Sequence, residues 1–353
     1  MSILLYSIPF SDKHNAYFEL LHAALEAQGG IEIKSLPRYG LLGLLANTER
    51  TPAATKKIIT IHWSTVLYGS RYALKSFLMI FGTAALLYIL KYRGYKICWT
   101  MHNAYAHDYP HPLIDRLGRY VLGYIADGIV VQQQCTYDAL SASIGQRKKM
   151  CFVAHGNYSG AYGPVVPDRD AIKRNYGCTH EEIVFLVFGA VRPYKKIDSI
   201  IQVFKTIDWG NKKVKLYIVG KADETYSACI RRASEGCPHI VFENRYIPND
   251  ELPRLLGVAD VCVFYYDNSE MTSGGMLLAL SYGVPVIIRD IAAAEIIQPA
   301  STGWVFRDDA ELKKIFQKIS TCPLPRGDAI IQSVAGQSWE KSARKLVRFY
   351  TDL

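Results

Sequence analysis

Apolar runs of two kinds alternate along this chain, and the whole scheme occurs twice. Strand-like runs SILLYSI (2–8), KIITIHW (57–63), YKICWTMH (95–102), GIVVQ (128–132) and MCFVAHG (150–156) are interleaved with helix-like stretches such as NAYFELLHAALEAQG and LIDRLGRYVLGYIA. The second half repeats this with IVFLVFG, KLYIVG, HIVFEN, VCVFYY and VPVIIRD, between helical stretches that include SIIQVFKTI and GGMLLALSYG. Strands alternating with helices predict parallel sheets of βαβ units. Five strands in each half predict two doubly wound α/β domains rather than one large sheet, and 353 residues suit two such cores. The Gly- and Pro-rich stretch NYSGAYGPVVPDRD predicts the boundary. The expected domains are 1–156, 157–335 and a closing helical segment, 336–353, that packs back toward the first. Ligands bind at the carboxyl ends of strands in such sheets, so the expected site is a cleft across which the two domains face.

Half of the residues are hydrophobic and 21% are charged, which excludes a disordered chain. Eight scattered cysteines without a C-x-x-C pair predict buried free thiols in a reducing cytoplasm. The net charge of +9 is unevenly placed: residues 1–150 carry 16 Lys and Arg against 9 Asp and Glu, the remainder 25 against 23. A basic first half suits an anionic partner, either nucleic acid or anionic lipid. Nucleic acid is disfavoured, because the basic residues are not interleaved with aromatics in a recognisable module. The N-terminus lacks the pattern of a secretory signal. One apolar run, SFLMIFGTAALLYIL (76–90), is bracketed by Arg71, Lys75, Lys91 and Arg93. As a helix it spans about 22 Å, short of a bilayer core. It reads either as a helix buried against a sheet or as one seated at a membrane surface.

The phosphate motifs of other α/β proteins are missing: neither G-x-G-x-x-G after the first strand nor G-x-x-x-x-G-K-[ST] occurs. Asp168-Arg169-Asp170 has the spacing of a metal-binding pair but reads as acidic residues at a helix start. Three features can grip an anion. The stretch FGAVRPYKKIDSII sets Arg192, Lys195 and Lys196 in the loop after a strand and Gly189, either aimed into the cleft or solvated. Thr272-Ser273-Gly274-Gly275 leads straight into a helix whose free N–H groups suit a phosphate, with Ser273 also a candidate N-cap. Gly220 and Lys221 end another strand.

These stretches, with HNAYFELLHAAL, IHW, TMHNAYAHD, AHGNY and the terminal SWEKSARKLVRFY, resemble GT-B glycosyltransferases. The set is most similar to the bacterial inverting β-mannosyltransferases of exopolysaccharide assembly. The resemblance implies an α/β GT-B fold of two Rossmann-like domains and a nucleotide-sugar donor, GDP-mannose first, bound by the second domain. It also implies a lipid-linked or glycan acceptor, and a peripheral position on the cytoplasmic face of the membrane. No cofactor or metal is expected, since protein cations can take the charge of the leaving diphosphate. Arg192 and Lys195 then fall where the diphosphate is met, and Glu243 and Tyr246 where the nucleobase packs. Glu270 faces hydroxyls of sugar or ribose. Retaining relatives commonly carry a second glutamate eight positions after the first, but here that position is Leu278, and Ala190 replaces an expected arginine. Both departures favour inversion, which needs a general base in the acceptor domain. Asp108 is the expected base, with His107 orienting it or replacing it. His14, Asn15, His62, Trp63, His102, Asn103, His155 and Tyr158 are candidates for acceptor or sugar contacts. The alternatives are a retaining transferase of UDP-sugars and a non-catalytic sugar-nucleotide-binding protein.

Overall fold

The computed structural model describes residues 2–13, 15–46, 55–103, 109–144, 149–267 and 272–353. By packing, the chain divides into two units: Met1–Gly156 with Thr272 and Gln337–Leu353, and the rest of the described chain between them.

The sheet of the first unit contains β1 (Ser2–Ile8), β2 (Ile31–Lys34), β3 (Thr55–Ile61), β4 (Tyr95–Met101), β5 (Gly128–Val131) and β6 (Lys149–Phe152). Its helices are α1 (Tyr17–Glu26), α2 (Leu41–Ala46), α3 (Thr65–Tyr68), α4 (Ala73–Tyr92), α5 (Pro112–Ile125) and α6 (Gln134–Ile144). All pairs are parallel, in the order β2-β1-β3-β4-β5-β6. Side chains of period two divide between two layers. Ile3, Leu5, Ile58, Cys98 and Val130 pack under α1, whereas Leu4, Tyr6, Ile61, Ile97, Trp99 and Val131 pack with Leu87 and Leu90 of α4 and Leu122 of α5. Burial on both faces is why these strands read as continuous apolar runs.

The second unit holds α7 (Arg169–Asn175), β7 (Ile183–Phe188), α8 (Ile197–Lys205), β8 (Val214–Val219), α9 (Glu224–Ser234), β9 (Ile240–Glu243), α10 (Leu252–Val258) and β10 (Val261–Phe264). It continues with α11 (Gly274–Ser281), β11 (Val286–Arg289), β12 (Gly303–Phe306), α12 (Asp309–Ile319) and α13 (Asp328–Ala335). Its parallel order, β12-β11-β10-β7-β8-β9, is the doubly wound order with one switch point, between β7 and β10. Phe185, Leu216, Ile218, Val263 and Ile287 pack against Ile200, Phe204, Ile230 and Phe316 of the covering helices. The last helix, α14 (Trp339–Asp352), belongs to the first unit, where Ala343, Leu346, Phe349 and Tyr350 join the layer under α1.

Among the described residues each sheet has six strands, not five. The additional strands, β2 and β12, are four-residue edge strands of mixed exposure, too short and too polar in pattern to stand out. The apolar run at 76–90 is part of a longer helix, α4. Ser76, Ile80, Leu87 and Leu90 are buried, while much of the rest is exposed, so burial against the sheet describes only one side of it. Of the cysteines, Cys98, Cys178 and Cys262 are buried, but Cys135, Cys229 and Cys322 are exposed, because they lie on helices and loops rather than strands.

Candidate functional site

In the second unit, the loops leaving β7 and β10 flank the switch point, where open α/β sheets receive ligands. Gly189 follows β7 with φ +87°, a conformation that favours glycine. A Cβ on Gly220, at the end of β8, would lie 1.8 Å from the Gly189 carbonyl oxygen, so the two strand ends meet backbone to backbone. Val191 N–H donates to the Lys221 carbonyl at 3.1 Å, and one Arg192 Nη donates to the Val191 and Lys221 carbonyls, each at 3.1 Å. Arg192 thus ties the β7 loop to the β8 loop. Lys195 Nζ lies 3.5 Å from the Cβ position of Gly189, over the end of β7. Lys196 adopts the left-handed conformation at φ +46° and is exposed, as is Lys221.

Beyond β10, Ser273 caps α11: its hydroxyl accepts from Met276 N–H at 3.1 Å and pairs with Tyr266 Oη at 2.8 Å. The Tyr266 ring stacks on Tyr194, and Asp267 N–H donates to the Tyr194 carbonyl at 2.8 Å, joining the two loops at the switch point. Gly274 and Gly275 open the helix, whereas Thr272, expected at the donor site, is buried and groups with the first unit, its hydroxyl donating to the His102 carbonyl at 3.3 Å. The missing side chain of Gly275 is used by packing, since its Cβ would sit 3.1 Å from the Phe264 ring. At the end of β9 the Glu243 carboxylate accepts from Arg245 Nε at 2.7 Å. The same guanidinium forks onto Glu251 at 2.7 and 2.6 Å, holding that carboxyl below its usual range. Tyr246 beside it is exposed. Asn244 Oδ1 accepts from Ala222 N–H at 2.8 Å. Gly189, Arg192, Lys195, Gly220, Lys221, Ser273, Gly274 and Gly275 therefore all stand at the carboxyl ends of β7, β8 and β10, with Glu243 and Tyr246 at β9. Tyr194, Tyr266, Asn244 and Arg245 join these strand ends without a motif to mark them, and only their place within a few positions of a strand end is a local signal.

In the first unit the strand ends hold an aromatic and imidazole cluster. Asn15 Oδ1 accepts from Tyr17 N–H at 2.9 Å and starts α1. Tyr17 Oη lies 3.3 Å from His62 Nδ1, His62 Nδ1 lies 3.2 Å from His102 Nε2, and Gln132 Nε2 donates to Tyr17 Oη at 3.3 Å. Two imidazolium rings would bring N–H against N–H at that contact, so the pair requires at least one neutral ring. Burial keeps His102 and His155 uncharged, at about 3 and about 4, and pushes His62 well below its ordinary value, with His102 and His22 adding to the effect. Trp63 stacks on His102, Trp339 packs edge-on against Tyr17 and lies over His155, and His155 Nδ1 bonds the Gly156 carbonyl at 2.7 Å. His62 Nε2 is a buried nitrogen with no hydrogen-bond partner. Tyr17, Gln132 and Trp339 join this cluster without any local sequence signal, because their partners are distant in the chain. Tyr158 is not part of this cluster: it is buried in the second unit, its N–H donating to Ser281 Oγ on α11. Arg119 holds the end of β4, donating to the Asn103 carbonyl at 2.7 Å and to the buried Asp115 carboxylate at 2.8 Å. His14, His107, Asp108 and Glu270 lie outside the described residues.

Among the described residues no group of three or more His, Cys, Asp and Glu side chains is placed to hold a metal. Asp168 is an N-cap, its carboxylate accepting from Ala171 N–H at 2.9 Å.

Residues 182–322 match the family model described as glycosyl transferases group 1. The GDP-mannose:glycolipid 4-beta-D-mannosyltransferase of Xanthomonas campestris pv. campestris is 26% identical over 174 residues, 47% of this chain and 48% of the relative. The chain thus spans about half the length of the curated relative it matches. The sucrose-phosphate synthase structure from Thermosynechococcus elongatus superposes with a TM-score of 0.75 at 15% identity, covering 100% of this chain and 99% of that one. The HepE structure from Anabaena in complex with UDP-glucose gives a TM-score of 0.70 at 12% identity, with 100% of both chains covered. The fold is GT-B.

Proposed function

We propose that this chain, a GT-B glycosyltransferase whose residues 182–322 fit the group 1 model, moves a hexosyl group from a nucleoside-diphosphate sugar to an acceptor hydroxyl. The observation that carries this reading is the second unit's switch point. Two backbones close up at Gly189 and Gly220, Arg192 and Lys195 follow β7, and the Ser273-capped start of α11 follows β10. Cations and a helix N-terminus flanking one switch point suit a diphosphate. Negative charge develops on that diphosphate as the bond to the anomeric carbon breaks, and the same groups are then best placed to stabilise it.

The leading donor is GDP-mannose and the leading acceptor a glycolipid, in keeping with the Xanthomonas relative's name; we take their meeting place to be the cytoplasmic membrane face. A second reading, a UDP-sugar donor, draws on the UDP-glucose complex of the Anabaena structure. Catalysis proceeds by inversion. Asp108, supported by His107, takes the proton of the acceptor hydroxyl, whose oxygen attacks the anomeric carbon, and the bonding electrons leave with the diphosphate. Protein charge suffices at the diphosphate, so no metal takes part.

A thermal-shift screen with GDP, UDP, dTDP and their sugar conjugates tests the donor, because ligand bound to the folded state raises its stability. Stabilisation by GDP and GDP-mannose above the others is expected; no response to any nucleotide refutes the reading, and preference for UDP establishes the second. An α-linked product by NMR would rule out inversion. Asp108→Asn should retain donor binding and lose turnover, whereas full activity would remove it as the base.

A further inference from the structure

α4 is held to the first unit by one side only. Ile80, Thr83, Ala84 and Leu87 form a seam with Gly118, Val121 and Leu122 of α5, and Leu90 enters the sheet core. The opposite side exposes Leu74, Phe77, Leu78, Phe81, Ile89 and Tyr92, with Tyr92 95% and Leu74 70% accessible. Spaced three, four or eight residues apart, they share one side of the helix and draw one stripe about 27 Å long. On α5, Leu113, Tyr120 and Tyr124 are exposed as well. A surface helix of a water-bathed domain carries polar residues on its outer side. This one is apolar on both.

The rim indicates what covers it. Arg71, Lys75, Arg93 and Arg116 are exposed cations at the ends of α4 and on α5. No Asp or Glu occurs between Glu49 and Asp108. The acids on and beside α5 are already paired, Asp115 with Arg119 and Asp127 with Lys91. Exposed tyrosines, with apolar rings and polar tips, suit the boundary between headgroups and acyl chains. α4 is also long and apolar enough to cross a membrane by length and composition, but its seam with α5 keeps it in the domain.

We propose that the outer face of α4 and α5 seats this protein on an anionic phospholipid bilayer, the apolar stripe entering the interface and the rim cations meeting headgroup phosphates. The proposal extends the reading that the acceptor is a glycolipid, and it specifies the surface that would bring the first unit to it. The test is flotation of the full chain with vesicles of phosphatidylcholine alone or mixed with phosphatidylglycerol. Binding should favour the anionic vesicles and weaken in high salt. Leu78→Glu/Phe81→Glu should lower partitioning by about tenfold or more, and Lys75→Glu by about fivefold. Both substitutions lie on an exposed face, and circular dichroism checks folding; if the glutamate pair unfolds, Phe77→Ser/Leu78→Ser takes its place with the same expectation.

Failure of the wild type to bind anionic vesicles, or equal binding by the folded variants, overturns the proposal. So does light scattering that finds a wild-type dimer and a monomeric glutamate variant, which would assign the face to a second copy. The response to GDP-mannose in the thermal-shift assay is read alongside. Vesicle binding lost with that response intact removes this inference alone; the converse removes the donor reading alone.

Discussion

Acid should unfold the first unit, and the imidazole cluster sets the size of the effect. His102 and His155 sit at about 3 and about 4 when folded, and His62 is also held below its ordinary value, all three chiefly through burial. In the unfolded chain a histidine titrates near 6.5. A base whose folded value is depressed contributes its full stability above about 6.5 and loses it as pH falls toward the folded value, because the unfolded chain then binds protons that the folded one refuses. Between pH 7.5 and pH 5 His102 and His155 each forfeit about 2 kcal/mol, so the two forfeit about 4, and His62, also held below its ordinary value by burial, acts in the same direction. That is a large share of the whole stability of a domain. Carboxylates titrate mostly below this window and alter the result little.

Urea unfolding at pH 7.5, 6 and 5, followed by circular dichroism and tryptophan fluorescence, measures the loss. Trp339 packs against both Tyr17 and His155, so its share of the emission of the chain's five tryptophans reports the cluster. His102→Gln should be less stable at pH 7.5 but should lose about 2 kcal/mol less on going to pH 5. Equal midpoints at pH 7.5 and 5, or an unchanged pH dependence in His102→Gln, would refute the reasoning.

Gly220→Ala forces a methyl group to 1.8 Å from the Gly189 carbonyl in a loop pair locked by backbone hydrogen bonds; a loss of about 3 kcal/mol is expected from urea titration. Ser273→Ala removes the cap of α11 and the partner of Tyr266. It should cost about 1 kcal/mol, seen by calorimetry as a fall in Tm of about 3 °C. Arg192→Ala should weaken GDP binding about tenfold in isothermal titration, while Lys196→Ala, at an exposed position, should stay within about twofold. Equal effects of the two would undo the distinction drawn between these neighbours.

Period-two and period-3.6 patterns are local, and what they encode was legible. The ten strongest strands, from SILLYSI to VPVIIRD, lie where the alternation of apolar runs puts them, because burial on both faces of a parallel sheet demands unbroken apolar sequence. Ser273 as a cap and Asp168 as another could likewise be read from residue type and the helix that follows. The edge strands β2 and β12 could not, since an edge buries less and needs less pattern. Neither could the two sides of α4, where the sequence is apolar throughout and only the position of α5 selects which residues are covered. The same holds for the sites. Loops after strands announced Arg192, Lys195 and Gly220 as a group. Only the folded chain decided that Arg192 spans two loops, that Gly275 yields to Phe264, that Tyr158 leaves the histidines for α11, and that Arg245 occupies the Glu243 carboxylate. Those outcomes join residues far apart in the chain, as Tyr17, His62, His102 and Trp339 are joined, and no pattern within a few turns of helix or one strand carries them.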